Sequence, residues 1–438
     1  MGDQRDGRPS PSADVPSRLI GPVLEDLRPA AEWVLLEDEA SERQLYWRQG
    51  ALHARRLVAT RSGELTVYRD LDGRRGKATF TLTGETGDRA TVEAALEASA
   101  LALNPPYRLP TGPAGYPELV LGDEEPPDEE ALASWGERLQ HRLRGEGVTA
   151  SHLELFSARH RHRLLSSGGR RHAWRSDSLL TDLIVATGEG EEGTEFRVLG
   201  RSRTLSDLLP ERVLTTALRA VRDRRGARLP PTGRMPVVLP SGEIAALLEA
   251  LRLHTSARAV YTKMVPSTVG DILIAPSGDA ITATLNPLRP NAPASAPTDA
   301  STVPSAPLAV LEAGVIRRLH ADPQYAAYLG MVPTGPPGTL EISPGETERE
   351  DLLADGPVLE IVAFSANMPD PLTGSFACEI KMGYLHHRGV HTPVAHGSVT
   401  GNVLEALTTC RLSRECGDEP GYHGPVAIRF ESLQVAGG

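Results

Sequence analysis

Gly63-Glu64-Leu65-Thr66-Val67-Tyr68-Arg69-Asp70-Leu71-Asp72-Gly73-Arg74-Arg75-Gly76-Lys77-Ala78-Thr79-Phe80-Thr81-Leu82 decides the fold class of the first half of this chain. Apolar and polar residues alternate with period two on either side of Asp72-Gly73. Alternation places one set of side chains on each face of a strand, and Asp-Gly supplies the positive φ of a two-residue hairpin turn. Working outward, Trp33–Glu37, Gln44–Arg48, Leu52–Thr60, Glu64–Asp70 and Lys77–Leu82 read as strands. Gln49-Gly50, Ser62-Gly63 and Asp72-Gly73 read as the turns between them. A helix is expected over Ala90–Leu103, before Pro105-Pro106. Pro105 to Pro127 is an acidic loop, and a second helix, Glu129–Arg144, follows Asp128 as its N-cap.

The same pattern returns further along. His152–Ser157, Arg161–Ser166, Arg171–Ser178, Leu179–Thr187 and Thr194–Ser202 read as strands, with Ser167-Gly168-Gly169 as a turn. A helix over Pro210–Asp223 places Val213, Leu214, Ala217, Leu218 and Val221 on one face. Gly226–Gly233 reads as a linker. Beyond it come a buried strand, Met235–Leu239, and a helix, Ser241–Leu253, with Ile244, Leu247, Leu248 and Leu251 inward. Asn286–Pro307, rich in Pro, Ala, Ser and Thr, reads as a mobile loop. Leu308–His320 reads as a hairpin around Glu312-Ala313-Gly314. Strands are expected at Val358–Phe364, Gly374–His386, Val390–Val394 and Val426–Val435, with a helix at Val399–Thr409. The class is α+β, with an N-terminal antiparallel sheet carrying helices and a β-rich C-terminal domain. Residues 1–16 read as a disordered lead-in, 17–228 as the first domain and 229–438 as the second.

Composition narrows the function. The 438 residues carry a net charge of −11, which argues against nucleic acid as the main partner. Three cysteines, Cys378, Cys410 and Cys416, offer no disulfide framework and fit a reducing cytoplasm. No apolar run reaches the length of a membrane-spanning helix. The high Arg-to-Lys ratio with abundant Ala, Gly and Pro suits a GC-rich bacterial genome. Gly-x-Ser-x-Gly elbows, Walker A loops and dinucleotide fingerprints are absent.

Ordered motifs carry a resemblance along most of the chain. Asn367-Met368-Pro369-Asp370-Pro371-Leu372-Thr373-Gly374-Ser375-Phe376, with Asn367, Pro371, Gly374 and Phe376, resembles the Asn-Pro-x-(Ser/Thr)-Gly-x-Phe signature of the TldD/PmbA (TldD/TldE) family. Gly401-Asn402-Val403-Leu404 resembles that family's Ala-Gly-Asn-Leu segment, and Phe430–Gly437 its closing strand. As ordinary residues, Gly374 and Gly401 serve turns or close packing, and Asn402 caps or hydrogen-bonds a turn.

The resemblance implies a heteromeric zinc peptidase whose proteolytic members carry His-Glu-x-x-x-His on the helix after the first strand of the C-terminal domain. Zinc there needs imidazole or thiolate ligands, and the Glu activates the bound water. In this chain the register reads Glu249-Ala250-Leu251-Arg252-Leu253-His254. Glu249 takes the first ligand position, Ala250 the position of the general base, and only His254 is retained. Taken as ordinary residues, Glu249 is an exposed helix carboxylate and His254 a C-terminal helix residue. Cys416-Gly417 stands where active members contribute a cysteine ligand, at a shorter distance from the final strand.

The resemblance therefore implies a TldE/PmbA-like subunit with neither a catalytic residue nor a metal of its own, whose TldD-like partner carries the zinc. It implies an enclosed chamber for unfolded or precursor peptides, with the loop Asn286–Pro307 as a gate. Two alternatives are a self-sufficient peptidase using Glu249, His254 and Cys416, and a stand-alone peptide-binding module. Two further groups attract notice. His160-Arg161-His162 and Arg170-Arg171-His172, with Arg159, Arg163 and Arg175, form a basic patch expected on an exposed sheet edge or face. His386-His387, His391 and His396 fall in one hairpin region.

Overall fold

Four strands of 17 to 21 residues set the shape of the N-terminal half. A computed structural model describes residues 19–84, 87–119, 127–187 and 194–437. The expected lead-in over 1–16 and the acidic stretch 120–126 lie outside the described residues. The elements run β1 (Glu32–Arg48), β2 (Ala51–Leu71), β3 (Arg74–Leu82), α1 (Asp88–Ala98), α2 (Glu129–Gly145), β4 (Thr149–Ser166), β5 (Arg171–Thr187), β6 (Thr194–Ser202) and α3 (Glu211–Asp223). The six strands form one antiparallel sheet in the order β3-β2-β1-β4-β5-β6.

The turns at Gln49-Gly50 and Asp72-Gly73 take φ of 50° and 81°, and 50° and 72°, the mirror-type hairpin geometry. Ser62-Gly63 is not a turn. Gly63 pairs with Glu37 inside the ladder, and a Cβ there would lie 2.8 Å from Leu35 Cδ1, so this glycine serves packing. Sequence reading divides β1, β2, β4 and β5 each into two because their apolar residues gather at the ends. Val34, Leu35, Leu45 and Trp47 of β1 are buried, while Glu39 to Gln44 between them is polar and partly open. In β2, Arg55 to Arg61 is exposed throughout. Pairing with neighbouring strands carries the backbone through these polar middles.

All three helices lie against one face. Leu45, Trp47, Leu153, Leu155 and Leu183 meet Leu132 and Leu139 of α2 and Leu214 and Leu218 of α3 in one cluster. Leu35, Leu65 and Leu82 meet Val92 and Ala95 of α1 in another. The helix α1 stops at Ala98, short of the expected Leu103. Asp128 caps α2, its carboxylate accepting the Ala131 N–H at 2.8 Å. On the opposite face Val34, Tyr68, Tyr107, Leu109, Leu164 and Trp174 form a smaller cluster.

The C-terminal half continues with β7 (Gly233–Pro240), α4 (Ser241–Leu247), α5 (Glu249–His254), α6 (Ala257–Tyr261), β8 (Ala283–Asn286), β9 (Leu308–Glu312), β10 (Val315–Ile316), α7 (Pro323–Leu329), β11 (Thr339–Ile342), β12 (Val358–Pro369), β13 (Ser375–His387), β14 (Val390–Val394), β15 (Ser398–Asn402), α8 (Val403–Ala406), β16 (Arg411–Leu412), β17 (Cys416–Glu419), β18 (Tyr422–Pro425) and β19 (Ala427–Ala436). One sheet runs β10-β9-β8-β11-β18-β17. The other runs β12-β7-β19-β15-β13-β14, and β12 also pairs with β13. Those pairings close β12, β7, β19, β15 and β13 into a ring. Val237 and Leu239 of β7 face the large core, and Val238 faces Leu352, Val358 and Ala427. A strand covered on both sides reads as a continuous apolar run.

Three further expectations change. The helix over Ser241–Leu253 is two helices meeting at Leu248, whose ψ of −3° interrupts the α geometry. The helix over Val399–Thr409 starts only at Val403, because Val399 and Thr400 pair with β13 and β19. Asn286–Pro307 is a packed segment. Thr298 Oγ donates to Val303 O at 2.9 Å, Ser305 N to Pro297 O at 2.9 Å, and Thr298, Thr302 and Ser305 are buried. Its hydroxyls satisfy the backbone where no strand partner does. The halves touch where Tyr384 and Met382 of β13 enter the α2–α3 cluster, and Tyr384 Oη donates to Asp223 at 2.8 Å. No helix among the described residues is long and apolar enough to cross a membrane.

Gly76 fixes α1 to the sheet. A Cβ there would lie 1.7 Å from the Ser99 carbonyl oxygen, at the end of α1. Gly76→Ala should therefore destabilise the N-terminal half by at least the ~1–3 kcal/mol typical of overpacking. A lowered thermal unfolding midpoint, with loss of near-ultraviolet dichroism, is the expected result.

Candidate functional site

The break at Leu248 sets the orientation of the residues at the zinc-motif positions. Ala250 and Leu251 turn into the core, and Glu249 turns to solvent. The Glu249 carboxylate accepts from Arg252 Nε at 2.9 Å, and Arg252 Nη2 donates to Gly421 O at 2.7 Å. Ala250 offers no group that can take a proton. His254 is 5% exposed, and its Nε2 lies 3.0 Å from Leu372 O. A carbonyl only accepts, so Nε2 carries the proton and is not free to ligate. Nδ1 of His254 is buried without a partner. Cys416 opens β17 and is exposed. Burial, with Asp418 and Glu415 nearby, raises its thiol pKa despite Arg289, which disfavours the thiolate a metal needs.

Among the described residues, groups of three or more metal-ligating side chains with mutually close donor atoms occur at Asp38, His160 and His162 and at His152, Glu154 and Asp182. Neither contains Glu249, His254 or Cys416. The residues at the family's zinc positions do not assemble a zinc ligand set: Glu249 is salt-bridged at the surface, Ala250 has no donor, and His254, whose Nδ1 is the nitrogen left to ligate, belongs with Cys416 to no group of three close donor residues among those described.

The signature residues surround the same place. Asp370 Oδ1 accepts Leu372 N at 2.9 Å and Oδ2 accepts Thr373 Oγ1 at 2.7 Å, folding the loop that Pro371 begins. Its carbonyls then face outward to three donors. Leu372 O meets His254, Thr373 O accepts Asn402 Nδ2 at 2.7 Å, and Gly374 O accepts Val403 N at 2.7 Å. Asn402 Oδ1 also accepts Leu404 N at 3.0 Å and Glu405 N at 3.2 Å, capping α8. Gly374 holds φ of 77° with Asn402 Oδ1 only 2.8 Å from where a Cβ would be. Gly401 lies against Leu433 and Phe376, and Phe376 is buried.

Asn367 leads to a carboxylate pair that sequence reading misses. Its Nδ2 donates to Glu243 Oε2 at 3.0 Å, Phe364 N donates to Glu243 Oε1 at 3.0 Å, and Cys378 Sγ donates to Asn367 Oδ1 at 3.4 Å. Across the start of α4, Ser241 Oγ donates to Glu419 Oε1 at 2.6 Å. Burial raises both carboxyl pKa values, against hydrogen bonds that lower them. Cys378 is pushed up to about 11 by burial. Carboxyls with raised pKa values are candidates for holding protons, but a Glu on α4 and another on β17 show no spacing that a sequence pattern would flag.

The basic patch is not an exposed edge, because β4 lies inside the sheet between β1 and β5. Alternation sends His160, His162 and His172 to one face and Arg159, Arg161, Arg163, Arg171 and Arg175 to the other. Arg163 donates to Glu37 at 3.1 Å, and Arg159 pairs with Asp177 at 3.5 Å. The C-terminal histidines do not converge on one point. His386 lies buried between Glu360 at 2.8 Å and His391 at 2.7 Å, and His396 faces Arg224 at 3.5 Å.

With this geometry in view, residues 232–437 match the family described as PmbA/TldA metallopeptidase C-terminal domain. TldE from Thermococcus kodakarensis shares the fold at a TM-score of 0.79 and 17% identity, covering 96% of this chain and 100% of its own. A candidate modulator of a DNA gyrase from Thermotoga maritima matches at 0.78 and 20% identity, covering 96% and 98%. One from Bacteroides thetaiotaomicron matches at 0.76 and 17%, covering 96% and 100%. No curated protein matches the chain in sequence.

Two measurements probe this site. Asn402→Ala removes the α8 cap and the bond to Thr373 O, and should cost about 1–2 kcal/mol, read in denaturant unfolding. Glu419 has a folded pKa above its ordinary 4.5. The stability this gives is present below that value and is lost as pH rises through the folded pKa. Glu419→Gln should therefore lose less stability than the native chain as pH rises above about 4.5, followed by thermal midpoints.

Proposed function

We propose that this chain, whose residues 232–437 belong to the PmbA/TldD metallopeptidase C-terminal domain family, is the non-catalytic, TldE/PmbA-like subunit of a heteromeric TldD/TldE peptidase. One observation carries the reading. The helix that would hold zinc offers Glu249 paired to Arg252, Ala250 in the place of the base, and His254 with Nε2 committed to Leu372 O. Water activation needs a metal with an open position and a nearby base, and this helix supplies neither. The zinc belongs to a TldD-like partner, and this chain stabilises that partner and shapes the chamber.

The substrates are unfolded peptides or the leader segments of modified peptides, handled in a bacterial cytoplasm. The outer side of Ala51–Ser62 in β2 is a suitable docking edge. Residues 63–71 pair with β3, and among the described residues no strand pairs with the outer side of 51–62. An extended peptide adds to such an edge by main-chain hydrogen bonds, which tolerate many sequences. A net charge of −11 supports peptide rather than DNA as the ligand.

The test is peptide hydrolysis by the chain alone and after co-expression with a TldD-like subunit. Expected are a stable heteromeric complex with metal-dependent cleavage, no cleavage by the chain alone, and activity within about twofold of native when this chain carries His254→Ala, as for any group outside the reacting centre. Metal-dependent cleavage by the chain alone, abolished by His254→Ala or Cys416→Ser, overturns the proposal and makes the chain a self-sufficient peptidase. Peptide binding without any partner complex overturns it in favour of a stand-alone binding module.

A further inference from the structure

In mid-sheet, where β1 and β4 are polar on both faces, three side chains converge. Asp38 lies in register opposite His162, and Ala40 opposite His160, so Asp38 and both imidazoles share a face. The rings are parallel within 2°, their centroids 5.5 Å apart. His160 Nδ1 lies 3.0 Å from each Asp38 oxygen, and His162 Nδ1 lies 3.4 Å from Oδ1. Both Nδ1 atoms thus face one carboxylate. The other nitrogen of His162 is held by Ser176 Oγ at 2.8 Å, and Trp174 stacks on the ring at 4.9 Å. All three residues are partly exposed, so an ion can reach them.

The nitrogen–oxygen separations are near those of a coordination shell, and all the donor atoms lie within 4.8 Å of one another. Bonds of about 2.0–2.1 Å to a four-coordinate zinc place neighbouring N and O ligands roughly 3.3 Å apart. The ligand set, two imidazoles and a carboxylate, suits zinc and its borderline divalent neighbours. A hydroxyl on the far nitrogen of a ligating histidine fixes ring and tautomer, and Ser176 stands there. Among the ion pairs of the described residues, Asp38 meets only these two histidines. The second triad, His152, Glu154 and Asp182, differs, because Arg197 takes both Asp182 oxygens at 2.9 and 2.6 Å.

We propose that Asp38, His160 and His162 bind one divalent transition-metal ion of the zinc class, clipping β1 to β4 at mid-strand. The site is remote in sequence from Glu249, His254 and Cys416 and rests on no part of the subunit reading.

The test titrates the full-length, chelator-treated chain with Co²⁺, whose visible d–d absorption reports coordination, with Zn²⁺ as competitor. Expected is a saturable signal from the native chain, weakened at least about tenfold in His162→Gln and Asp38→Asn and unchanged in His254→Gln. Ser176→Ala keeps all three ligands and should weaken binding by about tenfold. Zn²⁺ should raise the thermal midpoint of the native chain and not that of Asp38→Asn. Circular dichroism establishes that each variant is folded, and Ser176→Ala carries the test if the ligand variants are not. No signal from the native chain, or a signal that persists in both ligand variants, overturns the site and leaves the subunit reading standing. A signal lost only in His254→Gln places the metal on the C-terminal helix and overturns both.

Discussion

Three consecutive carbonyls, those of Leu372, Thr373 and Gly374, each meet a donor once the Asp370 side chain has folded their loop. Leu372 and Thr373 are exposed and only Gly374 is buried, so these bonds act mainly by position: each holds its donor in place against the loop. His254 comes from the end of α5, and Asn402 and Val403 from the junction of β15 and α8. One loop thereby ties a helix following the first strand of the ring to a helix following its fourth. The same bonding explains why His254 cannot also serve as a ligand through Nε2. The loop accounts for Nε2 of this imidazole and leaves Nδ1 unpartnered.

The N-terminal sheet works under a different constraint. Its apolar clusters lie toward the two ends of the long strands, and the middle has no helix above it to bury against. Cross-strand charge pairing fills that interval. Glu37 meets Arg163, Asp177 meets Arg159 and Arg203, and Asp38 meets two histidines. Glu37, Asp177 and Arg203 are buried, and the cost of desolvating such charges offsets much of their attraction, so the middle of the sheet is held chiefly by its backbone ladder. A shared ion between β1 and β4 would add stability where burial adds least.

This division also explains what could be read from the residues alone. Alternation and the Asp72-Gly73 turn identified the antiparallel sheet, and Asp128 and the apolar stripe of α3 located helices within a residue or two. Ser62-Gly63 misled because a glycine required by packing against Leu35 looks like one required by a turn. Strand lengths misled because polar mid-strand residues interrupt the apolar pattern without interrupting pairing. Asn286–Pro307 has the composition of a loose loop, yet its hydroxyls close hydrogen bonds that composition does not reveal. At the candidate site the motif positions Glu249, Ala250 and His254 were legible because they are contiguous. Glu243, Glu419 and Asp38 were not, since each acquires its meaning from a residue more than a hundred positions away.

The two metal questions in this chain turn on one physical point, namely which further donors converge on the histidine nitrogens left to ligate. At His254 the nitrogen nearest a partner faces a carbonyl, which requires a proton there. At His160 and His162 the Nδ1 atoms face a carboxylate, which a proton and a cation can equally bridge. Replacing a proton by a divalent ion is favourable only where the remaining donors point at the same place and carry compensating negative charge. Asp38 supplies that charge and Ser176 holds His162 toward it. Around Leu372 there is a neutral acceptor, and the nearest motif carboxylate, Glu249, is taken by Arg252. An ion at Asp38, His160 and His162 would therefore answer to sheet architecture, whatever chemistry the helix carrying His254 performs.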